Sequence, residues 1–367
     1  MRAGAGAGGA AEAAAAAVGK GCGPGSKRIQ ATVELGPNYI FHLAALAGAG
    51  FRSDYADRYE ATVEGGDLDT LRAYGARLAW ADGRTGELTA PAVFLPVHLR
   101  LGSAEQLDEY FRLLGQALGR GQTAPFLRRY GERLRLTADW VESVDDQWLR
   151  VQASTPGLCE GLEQLAGVWV RNFARYAAEV WPAELPGVQA AAARLNARLE
   201  KKDIIGRWER LTGETFRSDL YEIVLVSALK GGPNANSVGY DRNVFWSGSD
   251  PPWLEQFVSH ETGTHLLIGV LKDYVRSWGR TEGPDAAPGV APDFDLLYRA
   301  YENLARFLNS LVLGTDRLYA LPPGYRQDDF QAVYSRLYAE DPRPRPREML
   351  DRALRMLGGE RGALGGT

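Results

Sequence analysis

A mainly α fold of the α+β class, holding a small β-hairpin or sheet, is predicted by three observations. Amphipathic helical spacing recurs from Gly36 to about Thr212, two short β-branched runs follow Gly213, and a long apolar helical pattern begins at Asp250. At 367 residues the chain exceeds the size at which one core usually stops growing, so two lobes are expected. Residues 1–26 read as a flexible Gly/Ala-rich tail, 27–212 as a mostly helical lobe, and 213–367 as a second lobe with C-terminal helices.

Each element has its own signal. The first 26 residues are interrupted by Glu12 and Lys20 and lack the Leu and Val density of a secretory signal. Tyr39 to Leu46 is a helix-like apolar run. Ala92 to Leu99 reads as an edge or irregular strand, because Pro91 and Pro96 cannot donate to a ladder. Ser103 caps a helix carrying Gln106, Leu107, Tyr110, Leu114 and Leu118. Further helices are expected from Pro156 to Trp181 and from Val188 to Trp208. Tyr221 to Leu229 and Ser237 to Trp246, separated by Gly231, Gly232, Pro233, Asn234 and Asn236, read as a hairpin-like unit. Asp250 and Pro251 start a helix that stops at Gly279, and another runs from about Pro292 to Leu313.

Composition removes several classes of function. A formal net charge of -4 gives no electrostatic reason for a nucleic-acid partner, and Arg128, Arg129, Arg133 and Arg135 alternate with apolar residues as on a solvated helix face. Two cysteines, Cys22 and Cys159, make neither a disulfide framework nor a cysteine metal site. No run of 18 apolar residues suggests a membrane span, so no membrane partner and a cytoplasmic location are expected. No feature sets an oligomeric state.

The chemistry concentrates in His260-Glu261-Thr262-Gly263-Thr264-His265. Histidines four apart on a helix lie about 40° apart around its axis and can share an ion; five apart, they diverge by roughly 140°. Thr262, Gly263 and Thr264 are poor helix formers, which predicts a widened, π-type turn at Gly263. With that turn, neutral imidazoles of His260 and His265 bind zinc (Zn2+), and Glu261 lies where it can take a proton from water.

The stretch resembles the HExxxH gluzincins, the family of tubulin-tyrosine carboxypeptidases and their bacterial relatives with a Gln-Glu-Gly-Leu-Pro motif. The resemblance covers roughly residues 221–314 and implies a zincin-like metallohydrolase lobe in which two histidines bind zinc, the motif glutamate is the base, and a later glutamate completes the site. That later element resembles Tyr301-Glu302-Asn303-Leu304-Ala305, with Tyr301, Asn303 and Ala305 replacing the family's Gln, Gly and Pro.

Chemistry asks for the same third ligand, since a catalytic zinc takes three protein donors and leaves one position open. Glu302 sits on a helix whose core face is Leu297, Tyr301, Leu304, Leu308 and Leu311. An ion pair with Arg306 is its structural alternative, and Glu282, Asp273 and Asp293 are rival ligands. Tyr298, Tyr240 and Arg242 are candidate donors to an oxyanion, and Lys230, Gly231 and Gly232 a candidate flexible rim. His42 and His98 read as structural. The expected function is a zinc-dependent hydrolase, a metallopeptidase acting on a peptide or protein substrate. A zinc amidase or other hydrolase of a small molecule, or a non-catalytic zinc-binding scaffold, are the alternatives.

Overall fold

A computed structural model of the chain describes residues 27–81, 84–137, 144–278, 294–321, 323–343 and 345–358. The tail 1–26 with Cys22, the helix stop at Gly279, and the rival ligands Glu282 and Asp293 lie outside these residues.

The described chain begins with β1 (Arg28–Thr32) and α1 (Leu35–Ala47), a helix buried from Gly36 onward. Next come α2 (Asp54–Tyr59), α3 (Gly65–Ala73) and a two-stranded ribbon of β2 (Trp80–Ala81) and β3 (Arg84–Thr85). The strand expected over Ala92 to Leu99 is instead a π turn, Ala90–Phe94, running into α4 (Leu95–His98). Ala92, Val93, Leu95, Val97 and His98 are all buried, so the run is enclosed on every side, and each proline falls in a first turn where no amide is required.

Then follow α5 (Ala104–Arg120), α6 (Thr123–Leu134), α7 (Asp146–Ala153) and α8 (Leu158–Arg171). Ser103 caps α5 by accepting from the Gln106 amide at 3.2 Å, and the Gln106 side chain accepts from the Gly102 amide at 2.7 Å. The expected helix 156–181 is interrupted at Asn172, whose amide group donates to Val168 and Asp67. It resumes as α9 (Phe173–Arg175) and a π turn leading into α10 (Trp181–Leu199). Asp203 caps α11 (Ile204–Thr212) and so divides the stretch expected to be one helix from 188 to 208.

A four-stranded sheet follows, formed by β1, β4 (Leu220–Val226), β6 (Arg242–Trp246) and β5 (Asn236–Gly239), in that spatial order. The two β-branched runs do not pair as one hairpin. β4 lies parallel to both β1 and β6, and the hairpin, β5 with β6, is folded inside the second run. Burial of β4 on both faces is what a parallel strand covered by helices requires. Val224, Val226, Val238 and Val244 face a core built with α1 to α9. Tyr221, Ile223, Leu225, Tyr240 and Phe245 face a second core. That second core contains α10, α11, α12 (Pro251–Trp278), α13 (Phe294–Leu313), α14 (Gln327–Glu340) and α15 (Pro346–Gly358). Among the described residues no helix is long and apolar enough to cross a membrane.

Candidate metal and catalytic site

The helix that carries the motif starts as its sequence requires, with the Asp250 carboxylate accepting from the Trp253 amide at 3.2 Å. It then stays α-helical from Pro251 to Trp278, so the widened turn expected at Gly263 does not form. Gly263 serves packing instead. A Cβ there would stand 2.3 Å from two ring carbons of Trp208, the buried indole of α11 whose Nε1 donates to the Ser259 carbonyl at 2.9 Å. A glycine lets α11 and α12 approach this closely.

Without the extra residue absorbed, the two imidazoles leave the helix in different directions. His260 turns toward α13, its Nε2 3.0 Å from Oε2 of Glu302, with Tyr319 edge-on to its ring. Among the described residues its buried Nδ1 has no hydrogen-bond partner. His265 turns toward the sheet, its Nδ1 2.7 Å from the Tyr240 carbonyl and its Nε2 2.8 Å from Oγ of Ser237. A carbonyl only accepts, so Nδ1 carries the proton and Nε2 keeps its lone pair. Burial lowers the His265 pKa to about 4, so the ring is neutral at ordinary pH.

Between them, Glu261 accepts from Nδ2 of Asn243 at 3.2 Å. Burial raises its pKa to about 7; the neighbouring His260 works against that rise and the Glu302 carboxylate adds to it. Asn243 also donates to Ser237 Oγ at 2.8 Å and the Tyr221 hydroxyl at 3.3 Å, while its Oδ1 accepts from the Asn236 amide at 2.8 Å. Neither Asn243 nor Ser237 was among the residues marked by the sequence. The signal for Asn243 was an amide side chain inside an apolar strand, a group that must find partners once buried.

The other candidates separate clearly. Glu302 makes no ion pair with Arg306, whose guanidinium donates to the Tyr319 carbonyl and to Gln331. Tyr298 lies one turn before Glu302, whose charge, with burial, raises the phenol's pKa; its ring stacks on Phe294. Tyr240 offers the site its backbone carbonyl, while its phenol accepts from the Arg217 amide and its ring stacks on Phe216. Arg242 is wholly buried between Glu34 and Glu222, neither solvated nor beside His260. Asp273 pairs at the surface with Arg276 and Arg347. Lys230 pairs with Asp54 of α2, and Gly232 packs on Leu229 and Phe51, so the expected rim lies against α2. His42 and His98 are buried in the other core's surroundings, bonded to the Tyr55 hydroxyl and the Arg133 carbonyl.

Two imidazoles and a carboxylate are a zinc donor set in kind. His260 and Glu302 already meet, and a ligand histidine is ordinarily oriented by a bond such as the one from His265 Nδ1 to a carbonyl. Among the described residues, however, no three His, Cys, Asp or Glu side chains are gathered as a metal cage: the rings leave the unbroken helix in different directions, and His265 Nε2 bonds to Ser237. Set against family models, curated proteins and solved structures, the chain matches none of them.

Proposed function

We propose that this chain is a zinc-dependent hydrolase acting on peptide bonds, with His260 and Glu302 as metal donors, His265 as a third donor once its Nε2 leaves Ser237, and Glu261 as general base. The observation that carries the reading is the buried meeting of His260 Nε2 with Glu302 Oε2 at 3.0 Å, directly beside Glu261. Zinc bound there would supply a Lewis acid and lower the pKa of water from 15.7 toward about 7. Burial holds the Glu261 pKa at about 7 in the metal-free protein, and a zinc ion beside it would favour the carboxylate form that accepts a proton from water. Asn243 holds that carboxylate from the sheet side. Tyr298, in contact with Glu302, is placed to donate to developing negative charge. The choice of a peptide substrate rests on the resemblance to HExxxH gluzincins, and a cytoplasmic location is proposed with it.

Metal analysis and one substitution test the reading. The purified chain should hold, or take up, one equivalent of zinc. Glu261→Gln should keep that zinc and lose about 10²- to 10⁴-fold in turnover of a peptide library followed by mass spectrometry. A chain that takes up no zinc, or a fully active Glu261→Gln variant, overturns it. Zinc uptake with no cleavage of any peptide would favour the small-molecule hydrolase or the scaffold.

A further inference from the structure

Ser237 is the one partly exposed residue of β5, and it stands opposite Asn243 of β6 beside a register shift that ends at Gly239. An irregularity of this kind re-aims side chains. The neighbours of the Ser237 hydroxyl fix where its proton goes. Asn243 is oriented by its Oδ1, which accepts from the Asn236 amide at 2.8 Å, so its Nδ2 donates to Ser237 Oγ at 2.8 Å. His265 Nδ1 donates to the Tyr240 carbonyl at 2.7 Å, which leaves Nε2, 2.8 Å from the same Oγ, as an acceptor. The hydroxyl therefore takes a bond from Asn243 and gives its proton to His265. The Tyr221 ring, centred 5.0 Å from the imidazole, packs against it. A hydroxyl bonded to a base that a third group orients is the arrangement that activates a serine.

We propose that Ser237 and His265 are a nucleophile and its base, and that the pair takes the acyl group from small esters without a metal. As Oγ bonds to the ester carbonyl carbon, its proton passes to His265 Nε2 and on to the leaving oxygen, whose bond to that carbon breaks. Water, giving its proton to the same nitrogen, then releases the acid and restores the serine. The donor at hand for the developing oxyanion is Nδ2 of Asn243. An ester with a good leaving group asks less of that donor than an amide does, and the partial exposure of Ser237 suits a small acyl group. This activity goes beyond the zinc reading and shares His265 with it. Nε2 cannot accept the serine proton and hold an ion at once, so the two uses exclude each other.

The test is p-nitrophenyl acetate with the full chain in excess chelator, following nitrophenol release by absorbance and the site of acetylation by peptide mass spectrometry. The unaltered chain should give a burst and an acetyl group on Ser237, and Ser237→Ala should give neither. His265→Asn keeps a donor for the Tyr240 carbonyl and removes the base, so acetylation of Ser237 should slow about 100-fold or more. If that variant does not fold, heavy water decides on the unaltered chain: slower acetylation reports proton transfer during attack, and an unchanged rate overturns the role of His265. A folded chain that leaves Ser237 unacetylated, or a His265→Asn variant as fast as the unaltered chain, overturns the proposal and leaves the zinc reading standing. Acetylation that added zinc slows supports both uses of His265. Acetylation that zinc does not affect upholds the pair and removes His265 from the metal donors.

Discussion

Tyr319 puts a hydroxyl where, among the described residues, it finds no hydrogen-bond partner, in a buried position with its ring edge-on to His260 and 4.4 Å from that of Phe257. Burying such a group unpaired costs roughly 1–3 kcal/mol, so Tyr319→Phe should stabilise the fold by about 1 kcal/mol, read as a higher urea midpoint at constant slope. A midpoint lowered by that variant would show that the hydroxyl has a partner and no free capacity. The residues legible in the sequence were those whose chemistry is local: His260, Glu261 and His265 lie on one short motif, and Glu302 on a well-patterned helix. Asn243, Ser237 and Tyr319 reach the site from a strand, a hairpin and a loop. No spacing rule connects them to the motif, because their proximity is made by tertiary packing.

Helix α12 was legible as an element, with its Asp250 cap and buried second half, but the purpose of its glycine was not. Periodicity describes a helix alone and says nothing of the neighbour pressed against it, which here is the Trp208 indole of α11. The same blindness explains β4: an apolar run announces burial, and only the partner strands decide between a hairpin and a parallel sheet. The packing role of Gly263 makes a prediction of reversed sign. In an exposed helix interior, Gly→Ala stabilises by about 1 kcal/mol. At Gly263 the new methyl would stand 2.3 Å from the indole, so the variant should lose roughly 1–3 kcal/mol by overpacking. Thermal unfolding of Gly263→Ala, Trp208→Phe and the double variant checks it. The double variant should recover part of the loss, since the smaller ring vacates space; additive losses would mean the two residues do not collide.

Across the whole molecule, the two histidines outside the motif make folding sensitive to acid. His42 lies in α1 among the rings of Tyr55, Tyr59 and Tyr176, and burial lowers its pKa to about 3. His98, wedged against Gly239 of the sheet, is lowered to about 4, again chiefly by burial. A neutral base whose folded pKa lies below its unfolded value of about 6.5 contributes stability that is present above pH 6.5 and is lost as pH falls. Each such group removes about 1.4 kcal/mol per pH unit until the folded protein also takes up the proton, near pH 3 for His42 and pH 4 for His98. Glu261 acts oppositely between about pH 4.5 and 7, because its raised pKa favours the folded, protonated form as pH falls. A comparison of variants therefore isolates the histidine. Between pH 6.5 and 5.0 the unaltered chain should lose about 2 kcal/mol more than His42→Phe, measured by urea unfolding at each pH. Equal losses in the two proteins would mean that His42 is protonated, or reached by solvent, in the folded state. The expected difference arises because an apolar ring in place of His42 has no proton to gain on unfolding, so the first core would no longer be pulled open by acid at that position.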